Sequence, residues 1–174
     1  QKGIFPWFEK DDFLIWWSPD PRMVLYLDEI KISKSMRLLM KKNKYEITYN
    51  RAFSEVVKSC AQVKRFGQSG TWITPGLMNV YNILHEQGHA HSVEIWDGTK
   101  LVGGLYGIDI GDIFCGESMF SKASNSSKMA LIYLSKELKK NNYKFIDCQV
   151  PTAHLASLGA KTISRKDFLK YLEK

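Results

Sequence analysis

Phe145-Ile146-Asp147-Cys148-Gln149-Val150 is an apolar run with two polar side chains set into it, bounded by Lys144 and Pro151. It reads as a short buried strand, around which the neighbouring elements fall into order. Side chains two apart on a strand share a face, so Asp147 and Gln149 are expected on one side and Ile146, Cys148 and Val150 on the other. A carboxylate and a carboxamide in such a strand are costly to bury unless each is hydrogen-bonded or used. The pair either ties down a neighbouring loop or belongs to a functional site.

A long helix precedes that strand, with Ala130, Leu131, Leu134 and Leu138 on one face. Before the helix come three strands. Residues 91–96 alternate, Asp97-Gly98 reads as a hairpin turn, residues 100–108 return, and residues 112–120 follow. Further upstream lie strands at 24–27 and 45–48 and helices at 33–42 and 51–62, the latter expected to be capped by Asn50. Thr74-Pro75 marks the start of a helix that runs to about Gln87 and stops at Gly88. Downstream lie a short helix at 153–158 closed by Gly159, a strand at 161–164 and a helix at 166–171. This order predicts an α/β fold with a central mixed sheet flanked by helices.

Residues 1–22 differ in character. Gly3-Ile4-Phe5-Pro6-Trp7-Phe8 and Ile15-Trp16-Trp17-Ser18-Pro19-Asp20-Pro21 hold three of five tryptophans and three of five prolines. The prolines argue for an ordered aromatic loop, capping a core or offering ring faces to a planar ligand. We divide the chain into residues 1–22, a remnant of an N-terminal domain, and residues 23–174, the catalytic domain. The chain starts at Gln1 in mid-motif, which reads as a protein lacking an N-terminal piece.

With 174 residues and 44% hydrophobic content, the chain is long enough to bury a sizeable core. Lys and Arg exceed Asp and Glu by 25 to 18, a net charge of +7 that suits a nucleic-acid partner without requiring one. Cys60, Cys115 and Cys148 are odd in number and widely spaced, which suits reduced core thiols and a cytoplasmic location. No apolar run is long enough for a membrane span, and no membrane association is expected.

Several motifs carry chemistry. His85-Glu86-Gln87-Gly88-His89 matches the H-E-x-x-H zinc pattern. Ser92 and Ile95 stand where a glycine and a third ligand would be needed, and Gly88 reads as a helix end, so no metal site is expected. Cys148 invites a thiol-nucleophile reading with His154 as base, yet the alternation turns it away from the polar pair and nothing nearby would lower its pKa. Phe114-Cys115-Gly116-Glu117-Ser118-Met119-Phe120 sets a carboxylate into an aromatic strand beside a glycine that lets a ligand approach the backbone. It reads either as a partnered structural carboxylate or as a pocket wall in which Glu117 recognises a cation or a ribose hydroxyl. Lys41, Lys42, Lys44, Lys64 and Arg65 belong to a basic cluster which, with exposed tryptophans, makes a phosphate track.

The motifs together are more specific than any one of them. Gly3 to Phe8, Trp16-Trp17-Ser18-Pro19-Asp20-Pro21-Arg22, Gly70-Thr71-Trp72-Ile73-Thr74 and His89-Ala90-His91-Ser92-Val93-Glu94 follow one another along the chain. Gly103-Gly104-Leu105-Tyr106-Gly107, the stretch 114–121, the stretch 146–150 and Ser157-Leu158-Gly159-Ala160 continue the series. In this order and over nearly the whole chain they resemble the leucyl/phenylalanyl-tRNA–protein transferases.

The resemblance implies an acetyltransferase-like (GNAT) fold with a mostly antiparallel sheet. It also implies transfer of Leu or Phe, with Met as a further substrate, from aminoacyl-tRNA to the N-terminal Arg or Lys of a protein, marking it for N-end-rule degradation. By resemblance Asp147 and Gln149 form the catalytic pair. Leu105, Phe114, Met119, Leu131 and Ile146 line the side-chain pocket together with Gly116 and Ser118. Trp7 and Trp72 stack on the terminal adenosine, Glu117 contacts ribose or the acceptor's cation, and the basic helices take the acceptor stem. No cofactor is implied and a monomer is expected. The acyl-CoA signature of ordinary acetyltransferases is missing, since residues 121–128 contain no glycine. Two rival readings remain: an acyl-CoA-dependent acyltransferase on a small molecule, and a tRNA-binding module without activity.

Overall fold

The computed structural model describes residues 3–8, 14–63 and 71–173. Seven strands form one sheet: β3 (Arg22–Tyr26), β4 (Glu46–Tyr49), β5 (Ala90–Asp97), β6 (Lys100–Asp109), β7 (Ile113–Ser121), β8 (Phe145–Gln149) and β9 (Lys161–Ile163). They lie in the order β4-β5-β6-β7-β8-β3-β9. All neighbours are antiparallel except β7 and β8. The crossover that makes this pair parallel is α4 (Ser126–Lys140).

Alternating side chains feed two layers. Met23 and Leu25 of β3, Val93 and Ile95 of β5 and Leu105 of β6 pack toward α4 and α1 (Lys34–Lys41). The four residues expected on one face of α4, Ala130, Leu131, Leu134 and Leu138, are all buried there. On the other face Ala90, Tyr106 and Phe120 pack against α2 (Phe53–Ala61) and α3 (Pro75–Glu86). Val24, Ile113 and Phe145 cover Phe168 of α6 (Arg165–Lys170). A short helix, α5 (Ala153–Ser157), follows β8. The mixed, mostly antiparallel sheet agrees with the sequence reading. As expected, Thr74 caps α3 by accepting from Leu77 N–H, and Gly88 beyond its end adopts φ +79°.

Two local expectations give way. Part of the 1–22 segment is not loop: β1 (Phe5–Phe8) and β2 (Leu14–Trp17) form a separate antiparallel pair with Phe5 opposite Trp17. Pro6 is tolerated because a two-stranded ribbon is all edge. Asn50 does not cap α2, which starts at Phe53 after Ala52. Instead Asn50 takes a left-handed conformation, accepts from Ser92 N–H and bonds the His91 ring, pinning the turn to β5.

Candidate active site

The parallel pairing of β7 and β8 runs from Ile113 opposite Phe145 only as far as Cys115 opposite Asp147. Beyond it, Gly116 to Met119 on one strand and Cys148 to Val150 on the other line a cavity of about 490 Å³. This volume falls in the range of small-molecule sites. Leu105, Tyr106, Leu131, Leu134 and Ile146 make an apolar floor, with Trp72 at one side and Thr152, His154 and Leu155 at another. Nothing in the protein demands a glycine at 116, since an added Cβ would stand 3.5 Å from Ile146 Cγ2, an ordinary contact.

The two polar residues of β8 part company. Gln149 has φ +62°, a left-handed value that takes it off the strand's alternation. Its side chain therefore reaches the cavity, where Nε2 donates to Glu117 Oε1 at 3.3 Å. Asp147 does not line the cavity and is completely buried. Its carboxylate accepts a two-pronged bond from Arg22, Nε to Oδ1 at 2.8 Å and Nη2 to Oδ2 at 2.6 Å. It also accepts from Gln149 backbone N–H at 2.9 Å and from the Cys115 thiol at 3.5 Å. The expectation that both side chains act from one face is thus corrected: Asp147 grips the backbone of Gln149 from below.

Arg22 is itself buried, with its guanidinium over the rings of Phe5 and Phe168 and Nη1 donating to Gly3 O. One buried cation thereby links the segment before β3, the sheet and α6.

Glu117 is half-buried on the cavity wall and accepts from Tyr81 Oη at 2.8 Å through Oε2. Burial pushes its carboxyl up to about 7, against the opposing pull of the bonds from Tyr81 and Gln149. Burial and the adjacent carboxylate likewise raise the Tyr81 hydroxyl well above its usual value. Cys148 lines the cavity as well as packing on the core, and burial pushes its thiol up to about 12, so it stays protonated at neutral pH. His154 is kept below its usual value by partial burial and by Lys128.

Of the residues expected at the site, Trp72, Leu105, Gly116, Glu117, Ser118, Met119, Leu131, Ile146 and Gln149 all line the cavity. Phe114 lies behind the wall, buried with its ring where a Cβ on Gly107 would be, 2.4 Å away. The side chain of Trp7 falls outside the described residues, as do Lys64 and Arg65. Lys41 and Lys42 are exposed at the end of α1, while Lys44 is paired with Asp97 at 2.9 Å. The H-E-x-x-H pattern is broken by the end of α3 at Glu86. His85 stacks on Phe53 and bonds Ala90 O through Nδ1. Among the described residues no group of three His, Cys, Asp or Glu side chains is placed to hold a metal ion.

Sequence reasoning missed Tyr81 and Arg22. Tyr81 falls four residues after Leu77 on the buried stripe of α3, a spacing that signals core and hides a hydroxyl aimed at a carboxylate. Arg22 closes one of the motifs that carry the resemblance, but nothing in that motif signals a buried partner for Asp147.

Comparison with solved structures supports the fold. A GCN5-related glucosamine N-acetyltransferase region of a fungal multi-domain β-N-acetylglucosaminidase superposes with a TM-score of 0.52 at 12% identity. It matches 93% of this chain and 21% of that one. L-PGS from Bacillus licheniformis gives 0.52 at 14% identity over 79% of this chain and 48% of its own.

Sequence comparison goes further. The leucyl/phenylalanyl-tRNA–protein transferase of Flavobacterium johnsoniae is 55% identical over 173 residues, 99% of this chain and 82% of that protein. The protein of the same name from Syntrophobacter fumaroxidans is 49% identical over 172 residues, 99% of this chain and 74% of its own length. The family profile described as leucyl/phenylalanyl-tRNA protein transferase matches residues 24–173, and that of its N-terminal domain matches residues 1–20. The chain belongs to the leucyl/phenylalanyl-tRNA–protein transferase family.

Proposed function

We propose that the cavity between β7 and β8 receives the aminoacyl end of a charged tRNA and that its leucine or phenylalanine passes there to the N-terminal amine of a protein beginning with Arg or Lys. As a family member the chain is an aminoacyltransferase. The observation that carries the placement is a largely apolar cavity of about 490 Å³ with the hydrogen-bonded pair Gln149 and Glu117 on its wall.

An aminoacyl ester is already activated, so the protein must orient an amine against its carbonyl and move one proton. Leu105, Leu131 and Ile146 offer the transferred side chain an apolar bed. Met119 supplies a deformable wall that suits both a branched and an aromatic guest. Trp72, on the cavity wall, is assigned to stacking on the terminal adenosine.

The ionised form of Glu117 only accepts, so with that form the amide group facing it is NH2 and the Gln149 carbonyl Oε1 is left to accept from the incoming amine. Asp147, clamped by Arg22, holds the backbone that presents Gln149 and acts as a positioning residue.

The acceptor stem lies along Lys41 and Lys42, read through its phosphates and independently of sequence. The protein works as a cytoplasmic monomer and marks its acceptors for degradation.

Acyl-CoA transfer is disfavoured by the start of α4, where acetyltransferases seat a pyrophosphate. There the Ser127 N–H is taken by Ser121 Oγ, and Ser126 Oγ fills the turn with bonds to Val102 O and Ala123 O. The test is transfer of radiolabelled leucine from charged tRNA to a peptide beginning with Arg, beside one beginning with Ala, and of labelled acetyl from acetyl-CoA. Label in the Arg peptide from tRNA alone is expected. Label from acetyl-CoA, or equal labelling of both peptides, contradicts the reading.

A further inference from the structure

We infer that Glu117 is the group that takes the proton from the attacking amine, with Tyr81 and Gln149 holding its carboxylate in place. The inference rests on the aminoacyl-transfer reading above and deepens it.

The geometry is specific. Glu117 sits on β7, on the cavity wall, two residues past the last rung that ties β7 to β8. Each carboxylate oxygen is fixed by one donor from a different element, Tyr81 of α3 on Oε2 and Gln149 of β8 on Oε1. These bonds use two of roughly four acceptor positions, which leaves capacity for a proton from the cavity. Gln149 Nε2 is bonded to Glu117 Oε1 and both residues line the cavity, so an amine bound to the Gln149 carboxamide stands beside the Glu117 carboxylate. Gln149 is a neutral carboxamide and a poor base; Glu117 is a carboxylate that burial has made basic enough to act near neutrality.

The step balances without a co-reactant. The amine nitrogen bonds to the ester carbon and loses one proton to Glu117. The ester C–O bond then breaks, and the departing ribose oxygen takes that proton, returning Glu117 to its ionised form.

Among the described residues, the charged and titratable groups acting on Glu117 are Tyr81 on α3, Cys115 on its own strand, Asp147 on β8 and Arg22 on β3, with Cys148 and His154 lining the same cavity. Asp147 raises its pKa and Arg22 lowers it, while the bonds from Tyr81 and Gln149 favour ionisation. Because only the ionised form accepts a proton, turnover rises with pH through about 7. Removing the Tyr81 hydroxyl removes a bond to the ionised form, so that limb must move to higher pH.

The experiment is single-turnover transfer at saturating Arg-initiated peptide, from pH 5.5 to 9, for wild type, Glu117→Gln and Tyr81→Phe. Glu117→Gln is expected to lower the rate about 10²-fold with acceptor KM changed less than about threefold. It should also abolish the limb near pH 7, leaving only that of the peptide's own amine. Tyr81→Phe is expected to shift the limb upward. A Glu117→Gln protein that keeps its rate and its limb, or loses only acceptor KM, overturns the inference and leaves Glu117 as a recognition group. A limb that stays in place in Tyr81→Phe overturns it independently should Glu117→Gln fail to fold. Absence of transfer by wild type would instead sink the underlying aminoacyl-transfer reading.

Discussion

Arg22, Asp147 and Gln149 show how much of the site is set by single residues. A buried ion pair is held by mutual compensation, and removing one partner strands the other charge at about 3–5 kcal/mol. Arg22→Met is therefore expected to destabilise the fold by about that much, read as a fall in the urea midpoint. Adding Asp147→Leu should restore most of the stability while leaving turnover low, because the grip on the Gln149 backbone is gone. A double variant as unstable as the single one would show that Asp147 needs no partner. The polar pair was legible in the sequence from its setting among apolar residues. Its division into a buried clamp and a cavity group was not, because that depends on φ +62° at Gln149, and no neighbour of Gln149 in the sequence announces a left-handed turn.

At the scale of elements, the cavity exists because two parallel strands part after three rungs. Gly107, opposite Gly116 at the irregularity between β6 and β7, lets the wall strand take that course. A Cβ there would stand 2.2 Å from Cys115 O and 2.4 Å from Phe114 Cε1. Gly107→Ala is expected to cost about 1–3 kcal/mol and to lower turnover by moving the stretch from Gly116 to Met119. Unchanged melting would show that the irregularity absorbs the methyl freely. Thr74→Ala, which removes the cap of α3, should cost about 1 kcal/mol in denaturant titration. The order of the elements in the main sheet was readable from periodicity and turn residues, since each strand there alternates or runs apolar between clear breakers. β1 and β2 were hidden by prolines that would forbid a central strand but are harmless on a ribbon with no interior.

At the scale of the whole molecule, a net charge of +7 and exposed lysines at the end of α1 point to binding that depends on salt. Lys41→Ala with Lys42→Ala should lower the slope of log Kd for tRNA against log salt by roughly 2 in size, with acceptor KM unchanged. An unchanged slope would move the acceptor stem elsewhere. Charge alone could not choose between nucleic acid and a solvated face; the series of motifs along the chain pointed instead to a family, and the family match bears out that membership.

The central claim is that the left-handed Gln149 presents the one amide on which transfer depends. Asn also favours the left-handed conformation but is one methylene shorter, so Gln149→Asn leaves the backbone satisfied and withdraws the carboxamide. The decisive measurement is single-turnover leucine transfer from charged tRNA to an Arg-initiated peptide by this variant, beside its melting temperature. A melting temperature near wild type with transfer lowered about 10²-fold is the predicted result. A folded Gln149→Asn protein that transfers at the wild-type rate would contradict it.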